Sequence, residues 1–308
     1  MEIFHQLSGL VEQVSVDEAF IDVTDLPEPA EQIAHALQAR VKLDTNLPCS
    51  IGAASNKLVA KIATDTGKNQ SRTDGYPQAI LCVPAGTERI FLSPLPVRAM
   101  WGVGPKMESI LLGMGLRTIG DIANCSVDRL ERRFGKSGVD LHQHALGIDN
   151  RPVTVSYEAK SISQEVTFAR DTADLLFLRR TLHELAIKVG YRMRCEGLCA
   201  RVIRLKLRFA DFTTHTRQVL LQAPTDQDSV IAGEAEGLLM KLWQPERPVR
   251  LIGVGGANLV EHVHQLTLWE SETQKERKLL IALDELREKY GKEAVQRADH
   301  IRKRHKEE

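Results

Sequence analysis

Asp17 and Glu18 stand side by side in Val14-Ser15-Val16-Asp17-Glu18-Ala19-Phe20-Ile21-Asp22-Val23, a run of strand formers. Strand interiors disfavour acids, because an unpaired buried carboxylate is costly. Two adjacent carboxylates also repel each other unless a cation or a proton lies between them. A divalent metal keeps both ionised, and Mg²⁺ takes oxygen ligands from one or two carboxylates together with substrate phosphates. Neighbours on a straight strand point to opposite faces. Both acids therefore reach one site only at a strand end or a tight hairpin tip. A solvated hairpin tip carrying two acids is the alternative the stretch leaves open.

Ser55-Asn56-Lys57-Leu58-Val59-Ala60-Lys61-Ile62-Ala63-Thr64-Asp65-Thr66-Gly67-Lys68 is the second chemical feature. Lys57 and Lys61 lie one helical turn apart, and Lys68 stands at the helix exit. Lysines on a helix beside an acidic metal site suit a triphosphate or a DNA backbone. They suit the solvated face of an amphipathic helix as well.

The third is Trp101-Gly102-Val103-Gly104-Pro105-Lys106, followed by Met114-Gly115-Leu116-Arg117-Thr118-Ile119-Gly120-Asp121. It reads as helix, Gly-x-Gly hairpin, helix, with a further helix opening at Thr118. Glycines let backbone amides approach an anion closely, and a helix N-terminus favours negative charge. The pattern predicts a helix–hairpin–helix that clamps phosphodiesters without reading sequence. An ordinary helix turn is the competing reading.

Net charge is zero over 308 residues, but it is unevenly spread: residues 1–159 carry −4 and residues 160–257 carry +4. Arg179 to Arg208 is the densest basic stretch, the footprint of a polyanion partner or of a solvated helix face. Within it Arg204, Lys206 and Arg208 alternate and so share one strand face. Gln265-Leu266-Thr267-Leu268-Trp269 is a short extended peptide with apolar anchors, suited to a partner's pocket or to packing on its own domain.

The elements that must position these residues follow from periodicity. Residues 11–26 read as strand–turn–strand, Pro29 to Lys42 and Asn56 to Thr66 as helices, and 49–54 and 80–83 as short strands, an α+β unit. From Thr87 to about Arg151 the pattern is helical, broken by glycines. Residues 160–257 run strand, helix, strand, strand, helix, strand. Glu270 to Glu308 reads as a charged helical tail with Leu279, Leu280, Leu283 and Leu286 on one stripe. Hydrophobic content of 43% with 27% charged residues is that of a soluble globular protein. No apolar run approaches the ~20 residues that span a bilayer, and no signal-peptide pattern opens the chain. Five cysteines without zinc spacing fit the cytoplasm. Cys195 and Cys199 read as packing residues.

In this order the motifs resemble those of Y-family translesion DNA polymerases of the bacterial polymerase IV class. Ser-Val-Asp-Glu-Ala-Phe resembles the second palm metal motif and Ser-Asn-Lys-x-x-Ala-Lys-Ile-Ala the late palm motif. The glycine hairpin is similar to the thumb, residues 160–257 to the little finger, and Gln265–Trp269 to the sliding-clamp peptide. The resemblance implies an α+β fold: a partial polymerase palm at 1–86, a helix–hairpin–helix thumb at 87–159, a βαββαβ little finger at 160–258, and a clamp peptide with a charged tail at 259–308. It implies that Asp17 and Glu18 are catalytic and hold Mg²⁺, two ions in the intact family site, and that Lys68 and Lys61 bind the nucleotide. Gly102, Val103, Gly104 and Lys106 would meet DNA phosphates, with Arg204, Lys206 and Arg208 on the duplex. Gln265, Leu266, Leu268 and Trp269 would meet a sliding clamp. The implied protein is a cytoplasmic monomer acting on primed or damaged DNA and deoxynucleoside triphosphates.

The family pattern begins with another metal-binding aspartate on a first strand, followed by a fingers subdomain. No Asp-x-Asp-x-[Phe/Tyr]-Phe phrase occurs in the 308 residues. The resemblance therefore implies a chain lacking that strand and the fingers, and admits as an alternative a non-catalytic DNA- and clamp-binding protein or a truncated fragment.

Overall fold

Apolar residues at alternate positions make short strands at one end of the chain, and apolar residues every three to four positions make the helices between them. A computed structural model describes residues 1–70, 76–155, 158–261 and 272–291. The chain divides into two units, Met1–Tyr157 and Glu158–Glu308.

The first unit opens with α1 (Glu2–Leu7), then β1 (Val11–Gln13) and β2 (Ala19–Ile21), paired antiparallel with Glu12 opposite Phe20. α2 (Ala30–Thr45) leads to β3 (Ile51–Ala53), α3 (Lys57–Gln70) follows, and β4 (Ile80–Cys82) returns parallel to β3. Gly52 is required where β3 meets α3: a Cβ there would lie 2.1 Å from the Ala60 carbonyl oxygen. The helical part comprises α4 (Glu88–Leu92), a 3-10 turn at Val97–Ala99, α5 (Pro105–Gly113), α6 (Ile119–Asn124), α7 (Val127–Phe134) and α8 (Lys136–Ala145). Thr118 and Asp121 form a reciprocal cap on α6.

Leu58, Val59 and Ile62 of α3 share one core with Leu92, Met100, Leu111, Ile119 and Leu130. That core runs across residue 86 without a break, so α3 is fixed to the helical part and to β3 and β4 alike. Asn56 and Asp149 hold the start of α3, accepting from the amides of Val59 (3.0 Å) and Leu58 (3.2 Å).

The second unit runs β5 (Ser161–Thr172), α9 (Leu175–Cys195), β6 (Leu198–Phe209), β7 (Thr214–Thr225), α10 (Asp228–Leu242) and β8 (Val249–Glu261), the expected βαββαβ order. The sheet order is β5-β8-β6-β7, antiparallel throughout. One face is covered by α9 and α10, whose Leu178, Leu182, Val189, Ile231 and Leu239 bury against Ile203, Leu205, Leu207 and Ile252. Removing a fully buried leucine such as Leu182 costs about 2–5 kcal/mol. The other face carries the alternate side chains Arg204, Lys206 and Arg208.

α11 (Glu272–Tyr290) departs from the expected leucine stripe. Leu280 is buried, but Leu279 is 59% exposed and Leu286 41% exposed. Its inward face mixes Leu280 with ion pairs: Asp284 meets Arg194 of α9 at 2.6 Å, and Arg277 meets Asp226 at 2.9 Å. Cys199 packs as expected, but Cys195 is exposed at the end of α9. The peptide Gln265–Trp269 and the tail beyond Gly291 lie outside the described residues.

Candidate active site and nucleic-acid interface

The β1–β2 hairpin turns through Val14–Glu18, closed by the amides of Val14 (2.9 Å) and Ser15 (3.2 Å) donating to the Glu18 carbonyl. Asp17 and Glu18 therefore occupy a tight tip, one of the two geometries that let neighbouring residues serve one site. Ser15 Oγ donates to Asp17 Oδ1 at 2.6 Å. That bond first, then a backbone amide and, more weakly than the opposing effect of burial, the charges of Lys68 and Lys61 hold the Asp17 carboxyl below its ordinary range.

The expected lysines separate. Lys61 Nζ donates to Glu18 Oε1 at 2.6 Å and to Asp65 Oδ1 at 3.3 Å. Burial works to lower its pKa, but Glu18 and Asp65 outweigh that and raise it. Lys57 does not project toward the acids. It is buried and pairs with Glu12 at 2.7 Å, and Glu12 also accepts from the Thr154 amide at 2.7 Å. The first turn of α3 packs under the hairpin, which leaves no solvent for a charge there unless it is paired.

Asp17, Glu18, Lys61 and Lys68 line one cleft of about 540 Å³, together with Thr64, Tyr76 and Trp101. Its floor is apolar, from Ile21, Ile33 and Ile51. Trp101 was missed by motif reading, yet it ties the cleft to the glycine hairpin. Its ring lies 5.7 Å from that of Phe20, and the Arg151 guanidinium stands 4.9 Å over it. An aromatic just before Gly102 was the available signal.

Asp17 and Glu18 offer hard oxygen donors, one of them ionised and exposed, a set that suits Mg²⁺ completed by phosphate oxygens. Among the described residues no group of three His, Cys, Asp or Glu gathers to hold a metal.

The glycine hairpin also differs in detail. A single 3-10 turn stands where a first helix was expected. Gly102 has φ +93°, and Gly104 caps α5. Lys106 is exposed in the first turn of α5. Of the expected amide donors, Val103's is already engaged, donating to the Met100 carbonyl at 3.0 Å. The tightness of the turn uses it up. Gly102 and Gly104 flank Val103, and the first-turn amides of α5 and the exposed Lys106 ammonium stand where an anion is favoured.

On the sheet, Arg204, Lys206 and Arg208 do share the face away from the helices. Lys206 pairs with Glu165 at 2.7 Å, whereas Arg204 and Arg208 donate to the neutral Gln218 (3.0 Å) and Thr214 (2.8 Å). Gly253 lies opposite Lys206 and Gly255 opposite Arg204 on β8, leaving a shallow trough beside the cations. The wider stretch Arg179–Arg208 is not one surface. Arg179 pairs with Glu236, and Arg194 is buried between Asp228 and Asp284. A helix packed on one face of a sheet and strand side chains pointing from the other face cannot present one stripe.

Comparison with known proteins gives three profile matches. The impB/mucB/samB family matches residues 1–65, the thumb domain of DNA polymerase-iota residues 98–149, and the impB/mucB/samB family C-terminal domain residues 159–268. DNA polymerase IV of Desulfatibacillum aliphaticivorans is 38% identical over 304 residues, covering 96% of this chain and 75% of that protein. DNA polymerase IV 1 of Bacillus subtilis strain 168 is 35% identical over 309 residues, covering 98% and 72%. Among solved structures, a chimera of the Y-family DNA polymerases Dbh and Dpo4 aligns with TM-score 0.70 at 21% identity, covering 85% of this chain and 74% of that one. An insertion ternary complex of Dbh DNA polymerase aligns with TM-score 0.56 at 20% identity, covering 85% and 74%. At these identities the structural likeness concerns fold.

Proposed function

The chain belongs to the Y-family of DNA polymerases, DNA-directed nucleotidyltransferases, and on that premise we propose that the Asp17–Glu18 cleft is where it joins deoxynucleotides to a primer opposite damaged template. The observation that supports this most is the convergence of Asp17, Glu18, Lys61 and Lys68 on one cleft. We read 1–86 as a partial palm, 87–159 as the thumb and 160–258 as the little finger.

In the proposed reaction a primer 3′-hydroxyl loses its proton to solvent and its oxygen forms a bond to the α-phosphorus. The bond to the bridging oxygen breaks, and pyrophosphate leaves. Mg²⁺ held by Asp17 and Glu18, two ions by family expectation, would supply charge neutralisation at the attacking and leaving oxygens. Lys68 and Lys61 hold the triphosphate by charge, with Lys61 trading Glu18 for phosphate. Trp101 keeps the hairpin in register with the thumb. The amides of Gly102 and Gly104, the α5 first turn and Lys106 hold DNA phosphates, while Arg204, Lys206 and Arg208 grip duplex. Gln265–Trp269 would dock on a sliding clamp, and the protein would act as a cytoplasmic monomer; among the described residues no helix is long and apolar enough to cross a membrane.

A non-catalytic DNA- and clamp-binding role is the second reading, favoured by the pairing of only two acids at the site among the described residues. Primer extension beside a gel shift on one preparation separates the two. Mg²⁺-dependent extension that Asp17→Asn abolishes, with the shift retained, supports polymerisation. A shift from the unmutated chain without extension supports the second reading.

A further inference from the structure

β6 and β7 are joined by a three-residue loop, Ala210–Phe212, after which Thr213 pairs back to Phe209. Phe209 N donates to the Thr213 carbonyl (3.0 Å), Phe212 N to the Phe209 carbonyl (2.9 Å), and Thr213 N to Asp211 Oδ1 (2.9 Å). The last residue of such a three-residue loop takes left-handed backbone, where glycine or asparagine is the inexpensive choice. Here it is Phe212, with φ +62°. A bulky residue in that conformation is an outlier, and backbone strain of this kind concentrates at functional positions. Phe212 is also 63% exposed, whereas Phe209 at the base of the same turn is buried. The position thus costs twice, in backbone strain and in wetted aromatic surface, and the contact the ring makes in return is with the Arg250 guanidinium.

What surrounds the ring indicates the occupant. The Arg250 guanidinium lies 4.8 Å from its centroid and pairs with Asp171 at 3.4 Å. Arg204, Lys206 and Arg208 climb β6 toward the turn, spaced about 6.6–6.8 Å apart by the strand rise. Arg208, opposite Thr214, is the last of the row before the tip. Cations in a row that end at an exposed aromatic match a strand of phosphates whose last base has no partner.

We propose that Phe212 is a base-stacking residue, taking an unpaired nucleobase of single-stranded nucleic acid on its exposed ring while the adjoining phosphates follow Arg208, Lys206 and Arg204. This rests on the reading that the second unit binds DNA. Stacking of this kind tolerates any base, so the site contributes affinity for unpaired strand and no sequence preference.

Fluorescence anisotropy of the full chain on two probes tests it: a blunt duplex, and the same duplex with a single-stranded overhang containing 2-aminopurine. Phe212→Gly relieves the strained backbone, so its thermal midpoint holds or rises. Its affinity for the overhang probe falls about tenfold and its affinity for the blunt duplex stays. Phe212→Trp restores overhang affinity and quenches 2-aminopurine. A stabilised variant that binds worse is a signature that a merely structural residue does not give. Unchanged overhang affinity in Phe212→Gly overturns the proposal, as it must if the ring instead seats in a protein partner. An equal loss on both probes overturns it too. If the unmutated chain binds neither probe, the DNA reading of this unit fails first, and the role of Phe212 falls with it.

Discussion

Lys61 holds the Glu18 carboxylate at 2.6 Å from one turn inside α3, while Asp65 waits 3.3 Å from the same ammonium. The lysine supplies the positive charge that two adjacent acids require, and it does so from within the cleft where a metal and a triphosphate would sit. Lys61→Met should therefore raise the affinity of the hairpin for a divalent cation by a few-fold, the scale of a partly exposed ion pair worth about 0.2–1 kcal/mol. It should lower affinity for a deoxynucleoside triphosphate. Mn²⁺ binding followed by electron paramagnetic resonance, with and without nucleotide, reads both effects.

Asp149 links the entry of α3 to the segment leaving α8. It accepts from the Leu58 amide at 3.2 Å and from Arg151 Nε at 2.7 Å. Burial works to raise its pKa, but the Arg151 bonds prevail and the carboxyl lies below its ordinary 3.8. A folded-state value below the unfolded one gives stability that is complete above the unfolded value and fades as pH falls through the folded value. Asp149→Asn should cost about 2 kcal/mol at neutral pH, and the gap to the unmutated chain should close below pH 3.8. Urea unfolding at several pH values checks it.

The three cations on β6 should not contribute equally. Arg204 and Arg208 bond neutral partners, and Lys206 is already neutralised by Glu165. Each of Arg204→Ala and Arg208→Ala should reduce the slope of log affinity against log salt by about 0.9 on duplex DNA. Lys206→Ala should change it less, until Glu165→Gln is present in both members of the comparison. Gel shifts across a salt series give the slopes.

Arg194 is buried between Asp228 and Asp284, at 2.8 and 2.6 Å. Arg194→Met removes the cation both acids face and should destabilise by about 3–5 kcal/mol. Hydrogen exchange should show α11 losing protection before the sheet does.

The regular elements were legible because their signals are local. The alternation of Arg204, Lys206 and Arg208 fixed their common face, and the apolar spacing of Leu58, Val59 and Ile62 fixed the buried side of α3. The tip geometry of Asp17 and Glu18 followed from the steric rule that strand neighbours diverge. What was not legible depends on partners distant in sequence. Nothing near Lys57 announces Glu12, and a lysine one turn from Lys61 looks equally free. α11 misled because its docking face joins Arg277 and Asp284 to Leu280, whereas hydrophobic periodicity counts only Leu279, Leu280, Leu283 and Leu286. Val103's amide was lost to a turn hydrogen bond that composition does not encode.

The acids at the hairpin tip and the lysines of α3 should together bind a magnesium-complexed nucleotide. Titration calorimetry of deoxynucleoside triphosphate into the chain bound to primed DNA, with and without Mg²⁺, measures it directly. The expected result is Mg²⁺-dependent binding that Asp17→Asn with Glu18→Gln removes while DNA stays bound. Nucleotide binding of equal strength in the double variant, or equal strength without Mg²⁺, would contradict it.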